Sequence, residues 1–215
     1  MLSAFELTDG RLVQVRADAA EDLSRKETIW IDLAYPTEEE RELVQSVFRL
    51  ELPEDEELQD LQASARYYQD EHGIHIRSTF IQNSDETPSN VTMSFTLHEG
   101  RLLTVHDDDL AILRLFRMRA RAGPGMVGDA VDILLGCYEL AAERDADVLE
   151  EMYMTLDQVA ALVLNRDKEI AGHVMRDNIE RIAAQEDLNG KVRVIPIEGP
   201  RSITRAYARS QGHPA

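Results

Sequence analysis

The stretch from Gly128 to Leu164 constrains this chain more than any other. Leu134, Tyr138, Ala141, Leu149, Met152, Leu156, Val159 and Val163 recur at helical spacing, with Asp145 the one charged interruption. The spacing predicts one amphipathic helix. At about 1.5 Å per residue it would reach roughly 55 Å, longer than a small domain is wide. Such a rod must project from its own domain or find a neighbour along its length. The rest of the chain is then the body to which the rod is attached.

That body reads as a mixed sheet with helices. Leu2 to Leu7 and Leu12 to Val15 flank the turn sequence Thr8-Asp9-Gly10-Arg11 and predict a hairpin, and Thr28 to Leu33 predict a third, interior strand. Thr37 and Glu40 have the spacing of a capping box at a helix whose buried face is Leu43, Val44, Val47 and Phe48. A further helix is expected after Pro53, opening on Glu54 to Glu57 where the helix dipole favours acids. Arg66 to Tyr68, Ile74 to Ile81, Val91 to Leu97 and Arg101 to Val105 predict four strands whose short turns favour an antiparallel meander. Asp107, Asp108 and Asp109 lead into a short helix from Leu110, and Arg114, Arg117, Arg119 and Arg121 on it are read as a solvated or ion-paired face. A second long helix is expected from about Ile170 to Glu186.

Charge narrows the partners. The net charge of -18 repels nucleic acid phosphates and anionic lipid, and draws cations or a basic partner. The lone cysteine, Cys137, falls among Leu134, Leu135 and Tyr138, so it reads as a core hydrophobe in a reducing compartment. Acids and Arg11 interrupt the N-terminal apolar residues, so no signal peptide is read, and the longest apolar run, Val159 to Leu164, is far short of the roughly 20 residues that span a bilayer. A cytoplasmic location is expected. From Gly190 to Ala215 the composition reverses to five bases against one acid with several helix breakers, which predicts a disordered or foreign tail.

Catalytic motifs are not apparent, and no enzyme is expected. Gly123-Pro124-Gly125-Met126-Val127-Gly128 matches the glycine spacing of dinucleotide sites, but a helix rather than a strand feeds it and Pro124 removes an amide, so it reads as a helix-to-helix turn. His72 and His75, three apart across a turn, are not placed to converge on one metal and read as surface or edge residues. What remains is an acidic surface whose oxygen ligands suit hard cations.

Five collinear segments carry a resemblance. Met1 to Leu7, Ile29-Trp30-Ile31-Asp32-Leu33, Leu58-Gln59-Asp60-Leu61-Gln62-Ala63-Ser64-Ala65-Arg66-Tyr67-Tyr68, Gly100 to Val105, and Phe116-Arg117-Met118-Arg119-Ala120-Arg121 are together similar to the cytoplasmic domain of the CorA magnesium and cobalt channels, in their enterobacterial-like branch. The resemblance runs from Met1 to about Val192. It implies an α/β fold, a mixed α/β/α sandwich followed by long antiparallel stalk-type helices, divided as 1–122 for the α/β domain, 123–189 for the stalk region and 190–215 for the tail. It also implies a homopentamer in which regulatory Mg²⁺, or Co²⁺, bound between cytoplasmic domains holds the pore closed. The family's sensing acids fall on Gln59 and Asp60, of which Asp60 keeps its carboxylate, and approximately on Glu139. Beyond Val192 the family continues into a helix and two apolar spans with Gly-Met-Asn at the pore mouth, where this sequence has its basic tail. The expectation is a cation-sensing regulatory domain that does not insert into a membrane or conduct ions by itself. The related zinc-transporter branch, and a stand-alone soluble metal-buffering or protein-interaction module with the tail as docking arm, are the alternatives.

Overall fold

The computed structural model describes residues 1–53, 67–83 and 88–164. The expected helix after Pro53, the helix from Ile170, the tail and Asp60 lie outside these residues.

A seven-stranded sheet is assembled from two local pieces joined in parallel. Strands β1 (Leu2–Thr8) and β2 (Arg11–Val15) form the expected hairpin, closed by Asp9 at φ 51° and Gly10 at φ 71°, the paired positive angles of a tight two-residue turn. Helix α1 (Ala20–Leu23) follows; one turn is too short to leave a period in the sequence. Strand β3 (Thr28–Ala34) pairs antiparallel with β1, and helix α2 (Glu38–Phe48) returns across the sheet. Its capping box is formed as the sequence predicts, and the Glu40 carboxylate also accepts from the Met1 ammonium at 2.9 Å and the Leu2 amide at 2.8 Å. Burial opposes the charge on Glu40, but these donors and the Thr37 amide hold its carboxyl below the usual range.

The second piece is the meander of β4 (Tyr67–Asp70), β5 (Gly73–Asn83), β6 (Pro88–His98) and β7 (Arg101–His106), each pairing antiparallel with the next. Strand β7 docks parallel on β3, giving the order β2-β1-β3-β7-β6-β5-β4. Helices α3 (Ala111–Ala122) and α4 (Ala130–Leu164) complete the described elements.

Strand alternation divides the core in two. Ala4, Ile31, Leu33, Leu103 and Val105 face α1 and α2, packing with Leu23, Val44 and Phe48. Phe5, Trp30, Phe95 and Leu102 face the other way, onto Leu113 and Phe116 of α3 and Ile133, Leu134, Cys137 and Ala141 of α4. This is the α/β/α sandwich that the resemblance implies. The first three turns of α4 thus belong to the larger core, and the glycine loop before them is the expected helix-to-helix turn, pinned where the Gly125 amide donates to Gly10 of the hairpin at 2.8 Å.

Farther along, α4 departs from the predicted seam in one register. Val148, Met152 and Val159 are buried, whereas Leu149 is half-buried and Leu156 is 37% exposed. The inward line runs in steps of seven through Leu134, Ala141 and Val148 and through Met152 and Val159, which leaves Leu149 and Leu156 beside it. Among the described residues no helix is long and apolar enough to cross a membrane.

Candidate functional site

The acids of α4 separate by what the helix does with them. Glu139, Glu143, Asp147, Glu150 and Glu151 are exposed, on turns where the core-facing positions are Leu140, Ala141, Val148 and Met152. Glu143 pairs with Arg119 of α3 at 3.2 Å. Glu139, one turn earlier, is exposed and makes no ion pair among the described residues. Asp145 falls on the inner seam between Ala141 and Val148, half-buried, and burial pushes its carboxyl up to about 6 against the opposing pull of Arg144. The charged interruption visible in the sequence is therefore a strained ionisation on an otherwise apolar face.

What seats α3, and through it α4, is a buried polar network that sequence reading missed. Asp32 is 1% exposed on the face of β3 that carries Trp30. Its Oδ1 accepts from the Thr104 hydroxyl at 2.6 Å and faces His106 Nε2 at 3.0 Å, and its Oδ2 accepts from Arg117 Nη1 of α3 at 3.0 Å. The Trp30 indole N–H completes the set by donating to Thr104 Oγ1 at 3.0 Å. The Arg117 guanidinium lies 5.9 Å from the Phe5 ring centroid and 6.0 Å from that of Trp30, so cation–π contacts add to the ion pair. The signal was present: an acid inside an apolar strand must find partners, and Thr104 and His106 share a face by alternation. Ending the strand at Val105 hid His106.

The remaining polar residues are local. Asp108 accepts from the Tyr35 hydroxyl at 3.2 Å and from the Asp109 amide, and Asp109 pairs with Arg114, so the aspartate run braces the start of α3, where Leu110 as N-cap makes no side-chain capping bond. Of the two histidines read as surface or edge residues, His72 is half-buried and His75 is buried. His75 stacks on Tyr68 with centroids 4.3 Å apart and bonds Asp70 at 3.1 Å. Its position on β5, inside the edge strand β4, buries it. Desolvation opposes the Asp70 charge, but the His72 amide, His75 and the Gly73 amide hold its carboxyl below the usual range. Both histidines line a surface pocket of about 390 Å³ with Arg49 and Glu51. Among the described residues no three side chains of metal-binding type converge.

The comparisons with known proteins agree with one another. Residues 25–188 match the sequence model of a family described as CorA-like Mg2+ transporter protein. Over 204 residues the chain is 36% identical to the magnesium transport protein CorA of Pectobacterium atrosepticum, covering 94% of this chain and 63% of that protein. It is 34% identical over 204 residues to the protein of the same name from Escherichia coli K12, with the same coverage. The chain therefore spans 63% of the length of these curated relatives. The cytoplasmic domain of ZntB from Vibrio parahaemolyticus superposes with a TM-score of 0.66 at 13% identity, covering 97% of this chain and 79% of that one. The soluble domain of CorA from Methanocaldococcus jannaschii superposes with a TM-score of 0.54 at 15% identity, covering 95% of this chain and 91% of that one. At these identities the two structures speak for the fold.

Proposed function

Because the chain belongs to the CorA-like Mg2+ transporter family, we propose that it serves as the cytoplasmic, divalent-cation-sensing regulatory domain of a magnesium and cobalt channel, assembled as a homopentamer in the complete channel. In this reading residues 1–122 are the sensing body, 123–189 the stalk region that transmits its state, and the transported ion is the channel's cargo. The observation that carries it is Glu139, an exposed carboxylate without an ion pair among the described residues, one turn before a Glu143 already neutralised by Arg119.

The donor chemistry fits a hard cation. Carboxylate oxygens suit Mg²⁺, which keeps several of its waters and takes one or two carboxylates. Since no three metal-binding side chains converge among the described residues, a site on Glu139 draws its other donors from water and from a second copy, and Asp60 is a separate candidate contact. A bound divalent cation supplies the charge that lets carboxylates of two copies lie side by side. The chain's own contribution is to hold Glu139 at a fixed place. Neighbouring Leu140 and Ala141 are anchored in the core, and Arg119 fixes the next turn through Glu143. With the cation gone, a charge of -18 per copy favours separation of the subunits.

Likeness to the ZntB domain concerns the fold and does not choose the ion; the magnesium assignment follows the sequence relatives. Calorimetric titration with Mg²⁺ tests the site. Asp60→Ala and Glu139→Ala are each expected to weaken binding. Unchanged affinity in both removes the assignment.

A further inference from the structure

We infer that His106 is an imidazolium held between two acceptors, and that loss of its proton releases the loop joining β7 to α3. This device is independent of the cation-sensing reading, and it comes from donor and acceptor counting at the three buried histidines among the described residues. His75 sets Nε2 toward Asp70 Oδ1 at 3.1 Å and Nδ1 toward Thr96 Oγ1 at 3.2 Å; a hydroxyl can donate, so a neutral ring satisfies both. His98 bonds one acceptor, the His72 carbonyl, through Nδ1, and the Glu99 carboxylate stands 3.9 Å from its Nε2, beyond hydrogen-bond reach. His106 alone meets two groups that only accept. Its Nδ1 faces the Asp108 carbonyl and its Nε2 faces Asp32 Oδ1 at 3.0 Å.

A neutral imidazole carries one N–H and can satisfy one of these. Moving the proton to Asp32 does not help. Oδ1 already receives the Thr104 hydroxyl, and a neutral acid would leave the Arg117 guanidinium in its part-buried site without a counter-charge. The arrangement closes only with Asp32 ionised and His106 doubly protonated.

The surroundings agree with that charge state. From β3 comes the Asp32 carboxylate, from α3 the Arg117 guanidinium, and from the loop the Asp108 carbonyl, whose side chain is engaged by Tyr35. The β6 residue in register with His106 is the uncharged Met93, and α4 brings Cys137 near Asp32 and Arg117, its thiol kept protonated by burial. Burial works against a charged His106 and so does Arg117, yet the Asp32 bond and charge and the Asp108 carbonyl outweigh them, and its pKa lies above the ordinary histidine value.

Deprotonation removes one N–H, so either the Asp108 carbonyl keeps only the Leu110 amide or Asp32 keeps only Thr104 and Arg117. The loop is where α3 leaves the sheet, and two turns farther along α3 Arg119 reaches Glu143 of α4. Raising pH therefore loosens the seat of α3, and with it the support of the long helix. Lowering pH tightens it.

Imidazole ¹⁵N NMR of the 215-residue chain, paired with amide hydrogen exchange at Asp109 and Leu110, tests both halves. Leu110 N–H donates to the Asp108 carbonyl at 3.0 Å and Asp109 N–H to Asp108 Oδ1 at 2.8 Å, so these amides report the loop. Both ring nitrogens of His106 are expected to carry protons below a midpoint that lies above about 6.5. Corrected for intrinsic catalysis, exchange at the two amides is expected to rise about tenfold across that midpoint. A midpoint at or below about 6.5 overturns the imidazolium, and unchanged protection across the midpoint overturns the latch. In His106→Gln the step in exchange should vanish, and its persistence assigns it to another group and overturns the proposal. If that variant does not fold, the measurements on the unaltered chain decide.

Discussion

Gly136 sits where α4 crosses α3, and replacing it with alanine sets two known effects against each other. Alanine in a helix interior is favoured over glycine by about 1 kcal/mol. Yet a Cβ at Gly136 would stand 3.0 Å from Phe116 Cδ2 and 3.3 Å from Cζ, and closer still to Cε2. Ordinary contact begins near 3.4 Å, so the ring must retreat by about an ångström. It has no room: Phe116 is fully buried, edge-on to Trp30 with centroids 6.0 Å apart, and Trp30 stacks on Phe5 at 4.6 Å. Overpacking of this kind costs about 1–3 kcal/mol, and a ring fixed on both sides belongs at the upper end. Net destabilisation by Gly136→Ala is about 2 kcal/mol, which for a chain of this size lowers Tm by roughly 4–8 °C. Thermal unfolding followed by circular dichroism reads it. Adding Phe116→Leu should recover at least about 1 kcal/mol in a double-mutant cycle. A Tm that is unchanged or raised in Gly136→Ala refutes the reasoning, because it would mean the helices do not approach as closely as the structure has them.

Asp32→Ala leaves Arg117 and His106 facing an emptied site and should destabilise by about 3–5 kcal/mol in urea unfolding, more than Arg117→Met, which keeps an apolar stem over Phe5 and Trp30. Asp145 has a folded pKa raised to about 6, above its unfolded value, so its protonated form is the one the fold favours. That stability is fully present below about pH 4 and lost as pH rises through about 6, so Asp145→Asn should raise Tm above about pH 7 and leave the acid limb unchanged. Cys137, with its thiol pKa driven up by complete burial, should resist a thiol reagent in the native chain and react once the chain is unfolded.

How far the fold was legible depended on how locally each element is specified. The β1–β2 hairpin, the Thr37–Glu40 capping box and the helix from Ala130 to Leu164 are written in contiguous residues, through turn chemistry, cap spacing and apolar period. The parallel pairing of β3 with β7 joins residues some seventy apart, and no local pattern announces it. The Asp32–His106–Arg117 network depends on that pairing and on the placement of α3, which is why Asp32 looked like one polar residue in an apolar strand and His106 like the residue after one. His75 was misjudged for the same reason: its burial follows from β4 lying outside β5. On α4, period alone could not tell Val148 from Leu149 as the inward residue, since a shift of one position turns the seam by about 100°. Glu139 came from resemblance rather than pattern. The structure puts it on an exposed face, while Asp60 lies outside the described residues.

The account turns on whether the acidic face of α4 responds to a divalent cation. Hydrogen exchange of the 215-residue chain, with Mg²⁺ against Na⁺ at matched ionic strength, measures this residue by residue. Protection should rise around Glu139 and along α4 through Glu151, with the sheet unchanged, and Glu139→Ala should abolish the increase. Identical exchange along α4 in the two salts would contradict the account.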